Sequence, residues 1–436
     1  MKRPLVISLL VTALVFVCLG IGAVIIFGLD VGFPANDPFN LRNISSELEE
    51  SKTLKVDVDE PVSLRIDNAA GEVSITGAEV ETVQVRVVKT AYESTQERAD
   101  QEVESIKYTI EQTGNTVTVK YELPMSMKLN NKINTVDFFV TVPTATTATI
   151  DSSFGDVSVT DISGNVDIAN DFGTITVENV EGALSVSNDS GEVNAQSIKA
   201  GNGEIDLNSE FGSITLQNAN GKDVTLTSNS GRIILDDVRA TGDVTTSTDF
   251  GDTTFENGSG DSLSIETNSG RVFLAKIRIS GEIKVQDDFG EIELNQVSAS
   301  SYDLHTNSGS ITADGAKGKL KAYTDFGSIN VTNAQSVTLD LKTNSGSVEF
   351  SGSLGAGPHL VDTDFGEIVL TLPADSKLDV DLSTDFGTIK SDLPITVTLN
   401  GDSNSDGDQV VGSINGGGDQ FTAQTSSGSV TIHASR

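Results

Sequence analysis

Apolar and polar residues alternate with a period of two along most of the chain, and this pattern predicts β-strands. Segments such as VSLRIDN and VQVRVV, and short later runs such as TITV and SINV, place every second side chain on one face. One stretch breaks the rhythm, because Ala99, Val103, Ile106 and Ile110 follow the spacing of an amphipathic helix. The pattern therefore predicts an all-β chain with one short helix, at about residues 93–107.

A unit of two short strands and two corners recurs with a period of about 19 residues. Such a unit cannot bury its own apolar face, so its copies must stack on one another. The repeat therefore predicts a parallel β-solenoid. The first corner of each unit carries a glycine, at Gly155, Gly173, Gly191, Gly212, Gly231, Gly251, Gly270, Gly290, Gly309, Gly327, Gly346, Gly366 and Gly387.

Asp-Phe-Gly corners alternate with Asn-Ser-Gly corners along the repeat. If the strand alternation continues to the corner, Phe250 and Ser269 both point inward. We predict a core ladder in which a large and a small residue take turns, because two directly stacked phenylalanines would not fit. The alternative is that the phenylalanines lie outside as an apolar binding stripe. The predicted core ladder comprises Phe172, Phe211, Phe250, Phe289, Phe326, Phe365, Ser190, Ser230, Ser269, Ser308 and Ser345.

The residue before each Phe or Ser is predicted to point outward. Acids and amides alternate in this column, and an amide can donate hydrogen bonds to carboxylates that would otherwise repel at the coil spacing. We interpret the column as a structural ladder, with a column of Ca²⁺ sites as the alternative. Its members are Asp249, Asn268, Asp288, Asn307, Asp325, Asn344 and Asp364.

The N-terminal segment differs from the repeat. It has no charged residue between Arg3 and Asp30, which is long enough for a transmembrane helix. Lys2 and Arg3 favour a cytoplasmic N-terminus, so the rest of the chain is expected outside the membrane. The predicted parts are a cytoplasmic tail at 1–4, a transmembrane helix at 5–29, a stalk at 30–50, a cap region at 51–150, solenoid repeats at 151–390, and C-terminal coils with a cap at 391–436. The alternative for residues 51–150 is a separate α+β domain.

The chain is strongly acidic, with 28 Lys and Arg against 63 Asp and Glu and a net charge of −35. This balance argues against nucleic acid as a partner. Asp402, Asn404, Asp406 and Asp408 match the start of a Ca²⁺-binding loop, but Ser413 stands where its closing Glu belongs. The three histidines share no motif, and no nucleophile, phosphate or zinc motif is found, so we predict no catalytic residue and no cofactor other than this Ca²⁺ candidate.

The chain resembles the bacterial "putative adhesin" family of β-strand-repeat proteins over about residues 55–435. The resemblance rests on a strand–helix–strand segment followed by VDFFVTVPTATTATIDSSFGDVSVTDISGNVDIANDFGTITV and its recurring Gly-x-[Val/Ile]-x-[Val/Leu] coils. It implies a right-handed parallel β-solenoid at the bacterial envelope or surface. It carries no established biochemical function and no catalytic residues.

Two classes of function remain open. The first is a non-enzymatic scaffold or adhesin-like binding module, anchored as a single-pass protein in the bacterial cytoplasmic membrane with its C-terminal part extracellular or periplasmic. Its partner would be a surface glycan or an envelope protein. The second is a β-helix carbohydrate-active enzyme, a lyase or a hydrolase. A role in envelope stress or partner assembly is a further alternative.

Overall fold

A computed structural model describes residues 44–123, 134–397 and 408–435. The predicted tail at 1–4, the predicted transmembrane helix at 5–29 and most of the predicted stalk lie outside these ranges. Within them, no helix has both the length and the apolar character needed to cross a membrane.

Within the described residues, seven strands and one helix come before the regular coils. The helix, α1, begins after the N-cap Thr95, whose side chain accepts a hydrogen bond from the Arg98 amide at 3.4 Å. Ala99 and Val103 bury its apolar stripe, whereas Ile110 belongs to the next strand. These elements are β1 (Ile44–Lys55), β2 (Val62–Asn68), β3 (Val73–Ala78), β4 (Thr82–Glu93), α1 (Gln96–Ser105), β5 (Thr109–Thr113), β6 (Thr116–Tyr121) and β7 (Thr135–Pro143).

The later strands form two parallel columns. One strand of each coil leads into the corner glycine, and the next strand leaves it. These strands are β8 (Thr146–Phe154), β9 (Val157–Ile162), β10 (Val166–Phe172), β11 (Ile175–Val180), β12 (Leu184–Ser190), β13 (Val193–Lys199), β14 (Ile205–Phe211), β15 (Ile214–Gly221), β16 (Val224–Ser230), β17 (Ile233–Ala240), β18 (Val244–Phe250), β19 (Thr253–Glu256), β20 (Ser259–Gly260), β21 (Leu263–Ser269), β22 (Val272–Ala275), β23 (Arg278–Ile279), β24 (Glu282–Asp287), β25 (Ile292–Asn295), β26 (Ser301–Ser308), β27 (Ile311–Asp314), β28 (Lys317–Phe326), β29 (Ile329–Ser345), β30 (Val348–Leu354), β31 (His359–Phe365), β32 (Ile368–Pro373), β33 (Leu378–Phe386), β34 (Ile389–Ser391), β35 (Ile395–Val397), β36 (Asp408–Ile414), β37 (Asp419–Ser427) and β38 (Val430–Ser435).

Most of these strands pair in parallel with the equivalent strand of the neighbouring coil, which confirms the predicted parallel β-solenoid. Strand β18 lies between β16 and β21, with Thr248 opposite Thr267 and Phe250 opposite Ser269. The inward positions of the strands carry Val, Ile and Leu, which form one continuous buried core. The stacked units thus bury the apolar faces that a single unit would leave exposed.

The corner glycines are needed because adjacent coils approach closely at this corner. A Cβ atom on Gly251 would lie 2.1 Å from the carbonyl oxygen of Gly231, and one on Gly270 would lie 2.0 Å from that of Gly251. Only the early members of the column, such as Gly155 at φ 142°, also have a backbone conformation that favours glycine. Contact between the backbones of adjacent coils therefore leaves no space for a side chain at this position.

Both ends of the solenoid depart from sequence order. At the N-terminal end, β2 lies between β6 and β8. At the C-terminal end, β37 lies between β31 and β33. The last coil of the chain therefore stacks directly on β31, at the position where β33 would lie if the coils followed sequence order. Strand β36 then pairs antiparallel with β33 and covers part of an edge that would otherwise be open to pairing.

Candidate functional site

The phenylalanines of the Asp-Phe-Gly corners lie on the outside of the solenoid, so their predicted place in the core is wrong. Phe250 is 64% exposed, and every other member of the predicted row is also exposed. The alternating serines are not buried either. We call the exposed column the phenylalanine ladder, and it consists of Phe154, Phe172, Phe211, Phe250, Phe289, Phe326, Phe365 and Phe386.

The strand alternation ends one residue before the corner, and this explains the error. Thr248 points inward and is 2% exposed, but Asp249 and Phe250 are both exposed because the chain turns there. The close approach of Gly251 to the backbone of the preceding coil leaves little room for an aromatic ring inside this corner. A small polar side chain occupies the last inward position instead.

That inward position forms a buried hydrogen-bond ladder that the sequence reasoning missed. Thr324 donates its hydroxyl hydrogen to the carbonyl oxygen of Gly309 at 2.9 Å, and Thr343 donates to Gly327 at 2.8 Å. Each bond joins one coil to its neighbour and satisfies a polar group that would be costly to bury alone. The available signal was that the third residue before the corner glycine is polar in every coil. Side chains making the same bond are Asn188, Ser209, Ser228, Thr248, Thr306, Thr363, Thr384 and Thr425.

Asp287 occupies this inward position in one coil and cannot donate when it is ionised. It is 2% exposed, and its Oδ1 accepts a hydrogen bond from the Phe289 amide at 3.0 Å. Its Oδ2 has no hydrogen-bond partner among the described residues. Burial raises the pKa of the Asp287 carboxyl to about 6, with the nearby Asp288 carboxylate adding to the shift and backbone donors opposing it.

The column of acids and amides lies on the outside, as the alternation predicts. The Asn268 side-chain amide donates to Asp249 at 3.0 Å, and Asn307 donates to Asp288 at 2.9 Å. Asn344 makes the same bond to Asp325 at 2.6 Å. Each amide thus donates to the carboxylate of the preceding coil, which supports the interpretation as a structural ladder.

A shallow groove of about 400 Å³ runs beside this column. Asp249, Asn268, Asp288, His305 and Lys321 contribute to its lining. The His305 ring stacks on Tyr323 with the centroids 4.9 Å apart. Asp287 also belongs to the lining, but its small exposed fraction keeps its carboxyl from acting on a molecule in the groove.

The predicted Ca²⁺ candidates are only partly described. Asp402, Asn404 and Asp406 lie outside the described residues, and Asp408 is an exposed residue at the start of β36. Among residues 44–123, 134–397 and 408–435, no three His, Cys, Asp or Glu side chains are arranged to hold a metal ion.

Phenylalanines can stack on directly adjacent coils of this solenoid. Phe154 and Phe172 face each other in register, with ring centroids 5.2 Å apart and ring planes 3° from parallel. The alternation of Phe with Ser over the later coils is therefore not imposed by steric exclusion. Since both residues lie outside, it is not imposed by core packing either.

Two crystal structures match the chain, both at low sequence identity and low TM-score. A "putative cell adhesion protein" from Clostridium sporogenes is 10% identical, with 89% of this chain and 100% of that chain covered and a TM-score of 0.17. A "putative adhesin" from Bacteroides fragilis is 14% identical, with 66% of this chain and 97% of that chain covered and a TM-score of 0.28. We draw no functional argument from either.

No protein with a curated description matches the chain. The sequence profile of the Toastrack DUF4097 family matches residues 62–317 and 257–433, which include almost all of the described solenoid. This match confirms the resemblance seen in the repeat. The chain belongs to the Toastrack DUF4097 family.

Proposed function

We propose that this protein is a non-enzymatic, membrane-anchored surface scaffold whose phenylalanine ladder is an adhesin-like binding surface. The observation that carries the proposal is the column of exposed phenylalanines along one corner of the solenoid, which from Phe172 onward occupy alternate coils. Large apolar side chains that stay exposed on a soluble surface are typical of interaction sites.

The size of this surface supports the proposal. The eight side chains are between 42% and 80% exposed. With about 200 Å² for a whole phenylalanine side chain, the ladder exposes roughly 1,000 Å² of aromatic surface. A single partner that covered the ladder would bury an area typical of a specific interface, about 800 Å² per partner.

The N-terminal sequence supports the proposed location. The uncharged segment at 5–29 is long enough to cross a bilayer, and Lys2 and Arg3 orient its start toward the cytoplasm. The solenoid would then be held outside the bacterial cytoplasmic membrane, where a surface glycan or an envelope protein is available as a partner.

The test compares the full chain, purified in a non-ionic detergent, with a variant that lacks part of the ladder. Phe211, Phe250, Phe326 and Phe365 are replaced together by Ser, the residue that the chain already uses at this corner in alternate coils. A matched control replaces Asn179, Asn218 and Asn257 by Gly, because these residues have left-handed backbone conformations that glycine also adopts.

Binding to a glycan array and to bacterial envelope fractions is measured, and bound glycans are analysed for cleavage products. We expect the full chain and the asparagine control to bind, the phenylalanine variant to lose at least tenfold in affinity, and no product to form. Equal binding by the phenylalanine variant would remove the ladder from the proposal. Product formation would favour the carbohydrate-active enzyme instead.

A further inference from the structure

The alternation of Phe and Ser creates a series of slots along the ladder. Adjacent coils of a parallel sheet are about 4.8 Å apart, so phenylalanines on every second coil are about 9.6 Å apart. A serine lies between each successive pair, as Ser230 does between Phe211 and Phe250. Six slots result. Strand pairing places those above Ser190, Ser230, Ser345 and Ser427, and the repeat period places those above Ser269 and Ser308, on either side of Phe289, which follows the end of β24.

The width of a slot suits a compact organic cation. The one pair of ladder rings on adjacent coils, Phe154 and Phe172, has its ring faces parallel and turned toward each other. If later rings keep this orientation, the centre of a slot lies about 4.8 Å from the ring on either side, and a cation is attracted to an aromatic face within about 6 Å. A flat neutral ring would also fit this gap, since Phe154 and Phe172 stack with centroids 5.2 Å apart, so the charge beside the slots decides between a neutral ring and a cation.

The charge beside the slots has the matching sign. Each phenylalanine from Phe172 onward directly follows an acidic residue on the outer surface. The whole chain carries a net charge of −35, so an anionic ligand would be repelled. These acidic residues are Asp171, Glu210, Asp249, Asp288, Asp325, Asp364 and Asp385.

We propose that the slots bind trimethylammonium groups, one to a slot, displayed in series on a linear polymer that follows the ladder. The inference rests on the proposed function, since it takes the ladder as the binding surface and names what binds there. A trimethylammonium group fills the slot without needing hydrogen-bond partners, and paired aromatic faces are a known recognition mode for such groups. When one trimethylammonium group of the polymer is bound, the next group is held close to the neighbouring slot at a high effective concentration, so several weak contacts together give a higher affinity.

The slots above Ser308 and Ser345 are the best ones to test. In the Ser230 and Ser269 coils, the residue after the corner glycine is an arginine, Arg232 or Arg271. In the coil of Phe326 and the coils on both sides of it, the same position is a serine, at Ser310, Ser328 and Ser347. A bound cation beside Phe326 would therefore meet no competing arginine at that position. Phe326 is 67% exposed and forms a wall of both slots.

The experiment titrates the full chain in non-ionic detergent with tetramethylammonium and with two trimethylammonium groups joined by polymethylene chains of increasing length. Calorimetry measures affinity at constant ionic strength. We expect tetramethylammonium to bind with a Kd on the order of a millimolar. The bis-quaternary compound whose nitrogens span one ladder step, about 9.6 Å, should bind at least tenfold more tightly, and shorter compounds should lose this gain.

Three variants distinguish binding in the slots from binding elsewhere on the acidic surface. Ser308→Phe together with Ser345→Phe fills two slots while adding aromatic surface and keeping every charge, and the stacked Phe154 and Phe172 show that such corners fold. We expect this variant to bind fewer bis-quaternary ligands per chain, because two of the six slots are filled, while the remaining slots keep their affinity. Phe326→Ser should have the same effect. Asp364→Asn keeps both walls and should weaken binding about threefold.

The outcomes distinguish this inference from the proposed function. An unchanged or larger number of ligands bound by the slot-filled variant, or affinity that follows ionic strength alone, would overturn the slots. Preference for oligolysine or for phosphatidylcholine vesicles over the bis-quaternary series would overturn the linear trimethylammonium ligand. In either case, a loss of envelope binding on replacing the phenylalanines would leave the ladder as the binding surface. If that loss is also missing, the proposed function fails as well.

Discussion

Replacing Asp287 with threonine should stabilise the protein at neutral pH. Threonine is the residue at the equivalent inward position of the coils on both sides, at Thr267 and Thr306. The carboxyl of Asp287 is buried, and its Oδ2 has no partner among the described residues. Thr306 donates to the Gly290 carbonyl oxygen at 3.1 Å, so the new threonine would be placed to donate to Gly270 in the same way.

The size of the effect follows from the pKa. Burial raises the pKa of the Asp287 carboxyl from its ordinary value of 3.8 to about 6. Between these two values the folded state binds more protons than the unfolded chain, so the carboxyl lowers stability progressively as the pH rises through this window. Well above pH 6 the full cost, about 3 kcal/mol, is present, whereas at pH 4 it is less than about 1 kcal/mol. A new hydrogen bond to Gly270 would add about 1 kcal/mol at either pH.

The assay is urea unfolding of the full chain in non-ionic detergent at pH 7.5 and at pH 4, followed by circular dichroism. We expect Asp287→Thr to raise the free energy of unfolding by about 3–4 kcal/mol at pH 7.5 and by only about 1–2 kcal/mol at pH 4. Asp171→Asn, a change to an exposed carboxylate on a distant coil, serves as the control and should change stability by less than about 1 kcal/mol. A gain that is equal at both pH values, or no gain at pH 7.5, would refute the reasoning.

Two further predictions test the coil contacts. Gly251→Ala should destabilise the solenoid by about 3 kcal/mol or more, because its Cβ would lie 2.1 Å from the Gly231 carbonyl oxygen. The control is Gly114→Ala, in open space at φ 59°, which should cost only about 1–2 kcal/mol in the same urea assay. Equal costs for the two variants would contradict the role of coil contact. Asn268→Asp should lower stability by about 0.5–1 kcal/mol at pH 7, because it removes the donor to Asp249 and places carboxylates on three consecutive coils. In thermal melts, this loss of stability should become smaller as the salt concentration is raised. A loss that does not depend on salt would argue against repulsion between the carboxylates.

The sequence predicts the solenoid well because its period is a direct consequence of coil stacking. Glycine at each corner and β-branched residues at alternate positions suffice for that conclusion. The direction of the phenylalanines could not be read in the same way, because alternation is a property of straight strands and Phe250 lies where the strand bends. The polar residue at Thr248 was the better indicator, since an interior column without a single apolar member favours a hydrogen-bond ladder, although Ser152 and Thr267 at this position have no partner among the described residues.

The C-terminal coils show how far the alternation of Phe and Ser extends. In sequence the pattern fails after Phe365, because the next corner carries Phe386 instead of a serine. In space it does not fail, because Ser427 pairs with Phe365 on one side and with Phe386 on the other. The chain passes over one coil position and later returns to fill it with a serine corner. Neither core packing nor ring stacking requires a serine there, since these positions are exposed and Phe154 stacks directly on Phe172. The order Phe, Ser, Phe is therefore kept even where the coils do not follow the order of the chain. This favours a role, at the surface of the ladder, for the spacing between phenylalanines on alternate coils.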